Sequence, residues 1–163
     1  MSVYSACQKV EAEAIELLLP FANKHNIQIT ITQGQQFLQK LYGDFVIRYK
    51  GENCKFVELK VERENKYGNL FLESWSNRKW LSPGWIQTCK ANLLWYFFLK
   101  EKHLISVDFE SLKDWLYQEQ QIDKYQEKRQ SKNEQANDTY GYCVPIKHLR
   151  EAELKGWREI KIA

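Results

Sequence analysis

The stretch that most constrains the fold is 43–62, G-D-F-V-I-R-Y-K-G-E-N-C-K-F-V-E-L-K-V-E. Phe45, Ile47 and Tyr49 alternate along its first half, and Val57, Leu59 and Val61 along its second. That period of two predicts a pair of strands. Gly51, Glu52 and Asn53 lie between them and supply residue types that tight turns favour. Side chains alternate across a strand, so the six apolar residues share one face of a β-hairpin and Asp44, Glu58 and Lys60 share the other. A turn centred on Glu52 sets Lys60 opposite Asp44 at about 5 Å, with Glu58 on a diagonal at about 7–8 Å. Two carboxylates and an ammonium then form one patch. Its oxygens suit a divalent cation, and the ammonium can orient or deprotonate a neighbouring water.

The flanking sequence supplies an α/β setting. Residues 3–23 carry Val3, Cys7, Val10, Ala14, Leu17, Leu18 and Phe21 at helical spacing, with Pro20 expected to kink or end the helix. Residues 26–33 alternate Ile27, Ile29 and Ile31 up to Gly34, and 35–42 suit a short helical turn. Residues 69–76 read as a third strand, 84–92 as a short helix after Ser82-Pro83, and 93–100, L-L-W-Y-F-F-L-K, as a central strand covered on both faces. This strand–helix–strand order implies a right-handed crossover. Residues 105–109 form a further strand, and 110–128 a helix with Leu112, Trp115, Leu116 and Ile122 inward. The polar stretch 130–138 reads as a mobile loop. Residues 140–149 read as an edge element because of Pro145, and Trp157 and Ile160 dock the C-terminus.

A length of 163 residues suits a single domain over 1–163. A net charge of +3 excludes a polycation, so any nucleic-acid surface has to come from local clustering. Arg78, Lys79 and Trp80, followed by Trp85, form such a cluster: cations meet phosphates and rings stack on bases. Packing anchors are the competing reading of the tryptophans. Cys7, Cys54, Cys89 and Cys143 form no C-x-x-C pair, and Cys54 and Cys89 are expected as buried free thiols. The longest apolar run is too short to cross a bilayer and no signal peptide is visible. The expectation is a reduced, cytoplasmic protein without a membrane partner.

Asp44, thirteen residues, then Glu58-Leu59-Lys60 resembles the D…(D/E)-x-K signature of the PD-(D/E)xK nuclease superfamily, with Gly43 in place of the usual Pro. The stretches 71–76 (F-L-E-S-W-S), 84–92 (G-W-I-Q-T-C-K-A-N) and 141–146 (G-Y-C-V-P-I) are similar to segments of small phage or prophage nuclease-like proteins, so the resemblance spans roughly 3–146. It implies a three-layer restriction-endonuclease-like fold with a mixed central sheet of about five strands flanked by helices. It implies a metal-dependent nuclease acting on phosphodiesters, with DNA as the expected partner. Asp44, Glu58 and the carbonyl of Leu59 would hold Mg²⁺ or Mn²⁺. Glu11 is the first-helix glutamate best placed to join them, since Ala14, Leu17 and Leu18 follow it at core offsets. Lys60 would position or deprotonate the attacking water, a role for which a depressed pKa is expected. Lys90 matches a lysine that the resembling proteins aim at the site.

Three other readings compete. The charged triad can be the solvated face of an edge strand. The fold can serve as a non-catalytic nucleic-acid binder, although the intact triad argues against decay. The exposed tryptophans can anchor a protein partner, as in a phage-encoded inhibitor. Endo or exo cleavage and homodimerisation are left open.

Overall fold

The computed structural model describes residues 3–32, 35–130 and 138–162. The run Leu93–Phe98 (β6) lies at its centre. Leu94, Trp95, Tyr96, Phe97 and Phe98 are all buried, so this strand needs cover on both faces and obtains it. Trp95 and Phe97 face one core, with Ala14, Leu18 and Ala22 of the helix Val3–Lys24 (α1). Leu94, Tyr96 and Phe98 face a second core, with Leu70, Leu72, Val144 and the helical segment after residue 108. Burying these aromatic and aliphatic side chains contributes about 1.5–3 kcal/mol each.

Six strands make the main sheet, in the order Ile27–Ile31 (β1), Phe45–Tyr49 (β2), Lys55–Glu62 (β3), β6, His103–Asp108 (β7) and Arg158–Lys161 (β10). All neighbours are antiparallel except β3 and β6, which run parallel from Val57↔Leu93 to Glu62↔Phe98. Asn92 locks the start of that pair: its side chain accepts from Phe56 N–H at 2.8 Å and its own N–H donates to Phe56 O at 2.9 Å. The sheet is therefore mixed, with one strand more than expected.

The expected third strand, Asn69–Asn77 (β4), does not join it. β4 belongs to a second, antiparallel sheet with Ser82–Pro83 (β5), Glu127–Arg129 (β8) and Tyr140–Pro145 (β9), in the order β5-β4-β9-β8. The crossover thus links β3 to β6 and carries β4 and the one-turn helix Trp85–Thr88 (α3). β9 is internal to this sheet, not an edge; Pro145 is tolerated because it is the last residue of the strand.

The helix expected over 110–128 is broken. Phe109–Lys113 (α4) widens into a π turn over Asp114–Gln118, where Glu119 N–H reaches back to Asp114 O, and Gln120 then enters the left-handed region at φ 54. A 3₁₀ turn, Gln121–Lys124, precedes β8. Leu112, Trp115 and Leu116 are buried as expected, and Trp157 and Ile160 pack on the two cores. The helix α1 continues through Pro20 to Lys24. The segments Gln36–Tyr42 (α2) and Ile146–Glu151 (α5) complete the helices. Gly34, most of the polar stretch 130–138, and the side chains of Val3 and Cys7 lie outside the described residues. No described helix is long and apolar enough to cross a membrane.

Gly43 explains the missing proline. Its φ is +100, which a proline ring cannot reach. Its N–H donates to Gln39 O, its carbonyl accepts from Thr32 Oγ1 at 2.8 Å, and an added Cβ would lie 2.4 Å from Val57 O. Gly43→Ala should therefore lower the unfolding free energy by about 2–4 kcal/mol, read from urea titration of both proteins. An unchanged midpoint would contradict this geometry.

Candidate active site

β3 is a central strand between β2 and β6, so the residues on its polar side are not at a sheet edge. The second sheet and α3 cover that side, and Glu58 is only 7% exposed. This disposes of the solvated-edge reading of the triad. The six apolar residues of the hairpin face the α1 core as the alternation predicts, with Phe45, Ile47, Val57 and Leu59 buried and Tyr49 and Val61 packed against them.

The register differs from expectation. Glu52 N–H donates to Tyr49 O, and Gly51 takes φ +83, so the turn falls one residue earlier. The pairs are Phe45↔Val57, Val46↔Phe56 and Ile47↔Lys55. Lys60 is consequently not opposite Asp44. At the end of the ladder Asp44 N–H donates to Val57 O at 2.8 Å, while its carboxylate accepts Leu59 N–H at 2.8 Å and Gln39 Nε2 at 3.0 Å. A strand residue points its N–H and C=O to the same edge, so the Leu59 carbonyl also faces the Asp44 side.

Lys60 instead pairs with Glu58, Nζ to Oε1 at 2.5 Å. Cys89, beyond α3, donates its thiol to the other Glu58 oxygen at 3.4 Å. Burial raises the Glu58 pKa, Asp44 adds to the rise, and Lys60 opposes it. Burial would lower Lys60, but the carboxylates of Glu58, Asp44 and Glu73 outweigh it and the net direction is upward. The carboxylates around Lys60 thus favour its ammonium form, and the depressed pKa is an expectation for the site with a cation beside it. The Trp85 ring lies 5.1 Å from Nζ and adds a cation–π contact.

Two further carboxylates converge. Glu11, on α1, is half-buried; burial first, then Asp44 and Glu58, raise its pKa, while Lys60 lowers it. Glu73, on β4, is raised by burial and opposed by Lys60 and by the Trp85 N–H, which it accepts at 3.3 Å. Gly84 permits this approach, because a Cβ there would lie 2.2 Å from Glu73 O. The structure therefore brings together Asp44, Glu58, Leu59 and Lys60, adds Glu73, Gln39, Trp85 and Cys89, and sets Glu11 within electrostatic range of them. Among the additions, Glu73 is a carboxylate on the strand that follows the hairpin. Cys89 is a buried free thiol as expected, whereas Cys54 is exposed in the hairpin turn.

The cationic candidates lie elsewhere. Arg78 pairs with Glu127 at 3.0 Å and stacks on Tyr140 at 4.7 Å. Lys79 sits 5.8 Å from the Trp80 ring, and Trp80 is 73% exposed. Lys90 is exposed just beyond Cys89, which is the residue of that segment that reaches Glu58.

In kind, the oxygens of Asp44 and Glu58 fit a hard cation such as Mg²⁺. Among the described residues no three His, Cys, Asp or Glu side chains form a ready metal cluster. No protein-family model, curated protein or solved structure matches the chain.

The raised Glu11 pKa makes its ionised form a cost to the folded state. That cost is absent below the ordinary value of 4.5 and is complete once pH has risen through the raised pKa. Glu11→Gln removes it, and should melt above the parent at pH 7. The gap should close as the pH falls below about 4.5. A variant less stable than the parent at pH 7 would show that Glu11 makes net favourable ionic contacts instead.

Proposed function

We propose that the chain is a metal-dependent nuclease of restriction-endonuclease-like fold that hydrolyses phosphodiester bonds, with DNA as substrate. The observation that carries this reading is a lysine and two carboxylates, Asp44, Glu58 and Lys60, gathered on the polar side of a central strand beneath the second sheet, with Glu11 of α1 near enough to act on them electrostatically. Burying charge in this way costs stability. Structure alone does not require it, and a reaction on a charged substrate does.

Asp44 and Glu58 would hold Mg²⁺ or Mn²⁺, with the Leu59 carbonyl and water completing the shell and Glu11 beside them. When bound, the cation would polarise a phosphoryl oxygen and acidify a water. Leu59 N–H and Gln39 fix the Asp44 carboxylate, and Cys89 fixes Glu58. Lys60, held protonated, places positive charge where the pentacoordinate phosphorus gathers negative charge, and it orients the attacking water.

Purified protein should cleave DNA with Mg²⁺ or Mn²⁺ and stop with EDTA. Lys60→Ala should lose at least about 100-fold in turnover while still binding Mn²⁺, and Asp44→Asn should lose both. Lys60 is also the counter-charge of Glu58, so rates are to be compared at equal folded fraction. Cleavage that persists in EDTA, or no cleavage of single-stranded, duplex or branched DNA, would overturn this assignment.

A further inference from the structure

The turn that joins β4 to β5, residues 78–81, carries two large apolar side chains side by side in water. Trp80 is 73% exposed and Leu81 is 74% exposed. The turn beneath them is tightly built. Arg78 N–H donates to Asp138 O at 2.8 Å, Trp80 N–H to Asn77 Oδ1 at 3.2 Å, and Leu81 N–H to Arg78 O at 3.1 Å. Ser76 Oγ donates across the ribbon to Ser82 O, and Thr139 Oγ1 to Ser76 O. Leu81 is held at φ +51, a region unfavourable for a branched side chain. The guanidinium of Arg78 pairs with Glu127 and lies over the Tyr140 ring on the surface. The backbone of the turn is thus pinned by hydrogen bonds, and the two apolar side chains project from it into solvent.

The surroundings indicate what covers them. Residues 77–90 contain Arg78, Lys79 and Lys90 and no carboxylate. Lys79 stands beside the Trp80 ring. The same strand carries Glu73, which acts electrostatically on Lys60. From Glu73 to Asn77 a strand spans on the order of 13 Å, close to four base pairs at 3.4 Å each. A partner that is anionic, presents flat rings and reaches from the tip to Lys60 is a nucleic-acid strand. Stacked bases in an intact duplex offer their rings to neither side chain, whereas unpaired bases do.

We infer that Trp80 and Leu81 form a wedge that takes up unstacked bases, and that the substrate is therefore DNA with single-stranded or forked character. This rests on the nuclease reading of the Asp44–Glu58–Lys60 site and specifies its substrate class. Trp80 receives a base on its face, Leu81 packs against the next step, and Lys79 meets the phosphate between them. Arg78, engaged with Glu127 and Tyr140, holds the turn and does not contact the substrate.

The test is binding in EDTA, where no cleavage interferes, of three end-labelled probes: a 20-nucleotide single strand, a 20-bp duplex and a forked duplex with unpaired arms. The parent should prefer the single strand and the fork. Trp80→Ala with Leu81→Ala should weaken both by roughly 5- to 150-fold, the worth of stacking one base, and leave duplex affinity within about 2-fold. Trp80→Phe should keep most of the preference. A 2-aminopurine in an unpaired arm should be quenched by the parent and not by Trp80→Ala. Both side chains are solvent-exposed, so the double variant should keep the parent's circular dichroism. Unchanged binding of all three probes by the double variant, or an equal loss on all three, overturns the wedge while leaving the nuclease assignment standing; a tip that docks a protein would give the first result. A parent that binds none of the probes also overturns the wedge, while the nuclease assignment is decided by cleavage with Mg²⁺ or Mn²⁺.

Discussion

The demand of Leu93–Phe98 for cover on both faces shapes the rest of the molecule. A strand with five consecutive buried side chains cannot lie at an edge or face solvent on either side. One face is met by α1 and the inner side of the hairpin. The other is met by a second sheet and the segment after Asp108. Because β3 pairs with β6 in parallel, its polar side is roofed by the same material that covers β6. Glu58 and Lys60 are thereby carried into a covered space that their own charges do not favour. The cover that satisfies the central strand thus also encloses the site, which is stabilised locally by the ion pair, the Cys89 thiol and the Trp85 ring.

Much of this was legible where a period was strong. The alternation of Phe45, Ile47, Val57 and Leu59 identified the hairpin and its two faces, and the unbroken run at 93–98 identified the central strand. The register was not legible, because two adjacent turn centres, Gly51 and Glu52, have similar residue preferences. Moving the turn by one residue changes the pairing sum by two, which leaves every side chain on its face. The shared face of Asp44, Glu58 and Lys60 therefore survived the error, while the expected Asp44–Lys60 contact did not.

What escaped the sequence is non-local. β8 is Glu127-Lys128-Arg129, without an apolar residue, and it exists because β9 pairs with it and because Ser74 and Arg78 bind Glu127. The helical pattern of 110–128 could not reveal that competition. The state of Lys60 is similar. A single desolvated lysine is expected to lose its proton readily, and only the nearby carboxylates of Glu58, Asp44 and Glu73 reverse the direction.

The parallel pairing of β3 with β6 also has a kinetic meaning. Phe56 and Asn92 are 36 positions apart, and everything between them, including β4, the exposed tip and α3, forms the loop that must close before that pair exists. The β1–β2–β3 meander and the β6–β7 hairpin involve short separations and can form early. Joining them requires paying the closure entropy of the whole crossover first. Glu58 thus remains solvated, and Lys60 remains distant from Trp85 and Cys89, until the crossover closes. Charges that would hinder collapse if buried early are desolvated only when their partners arrive with the roof, so the order of assembly spares the folding chain an unpaired ion in its core.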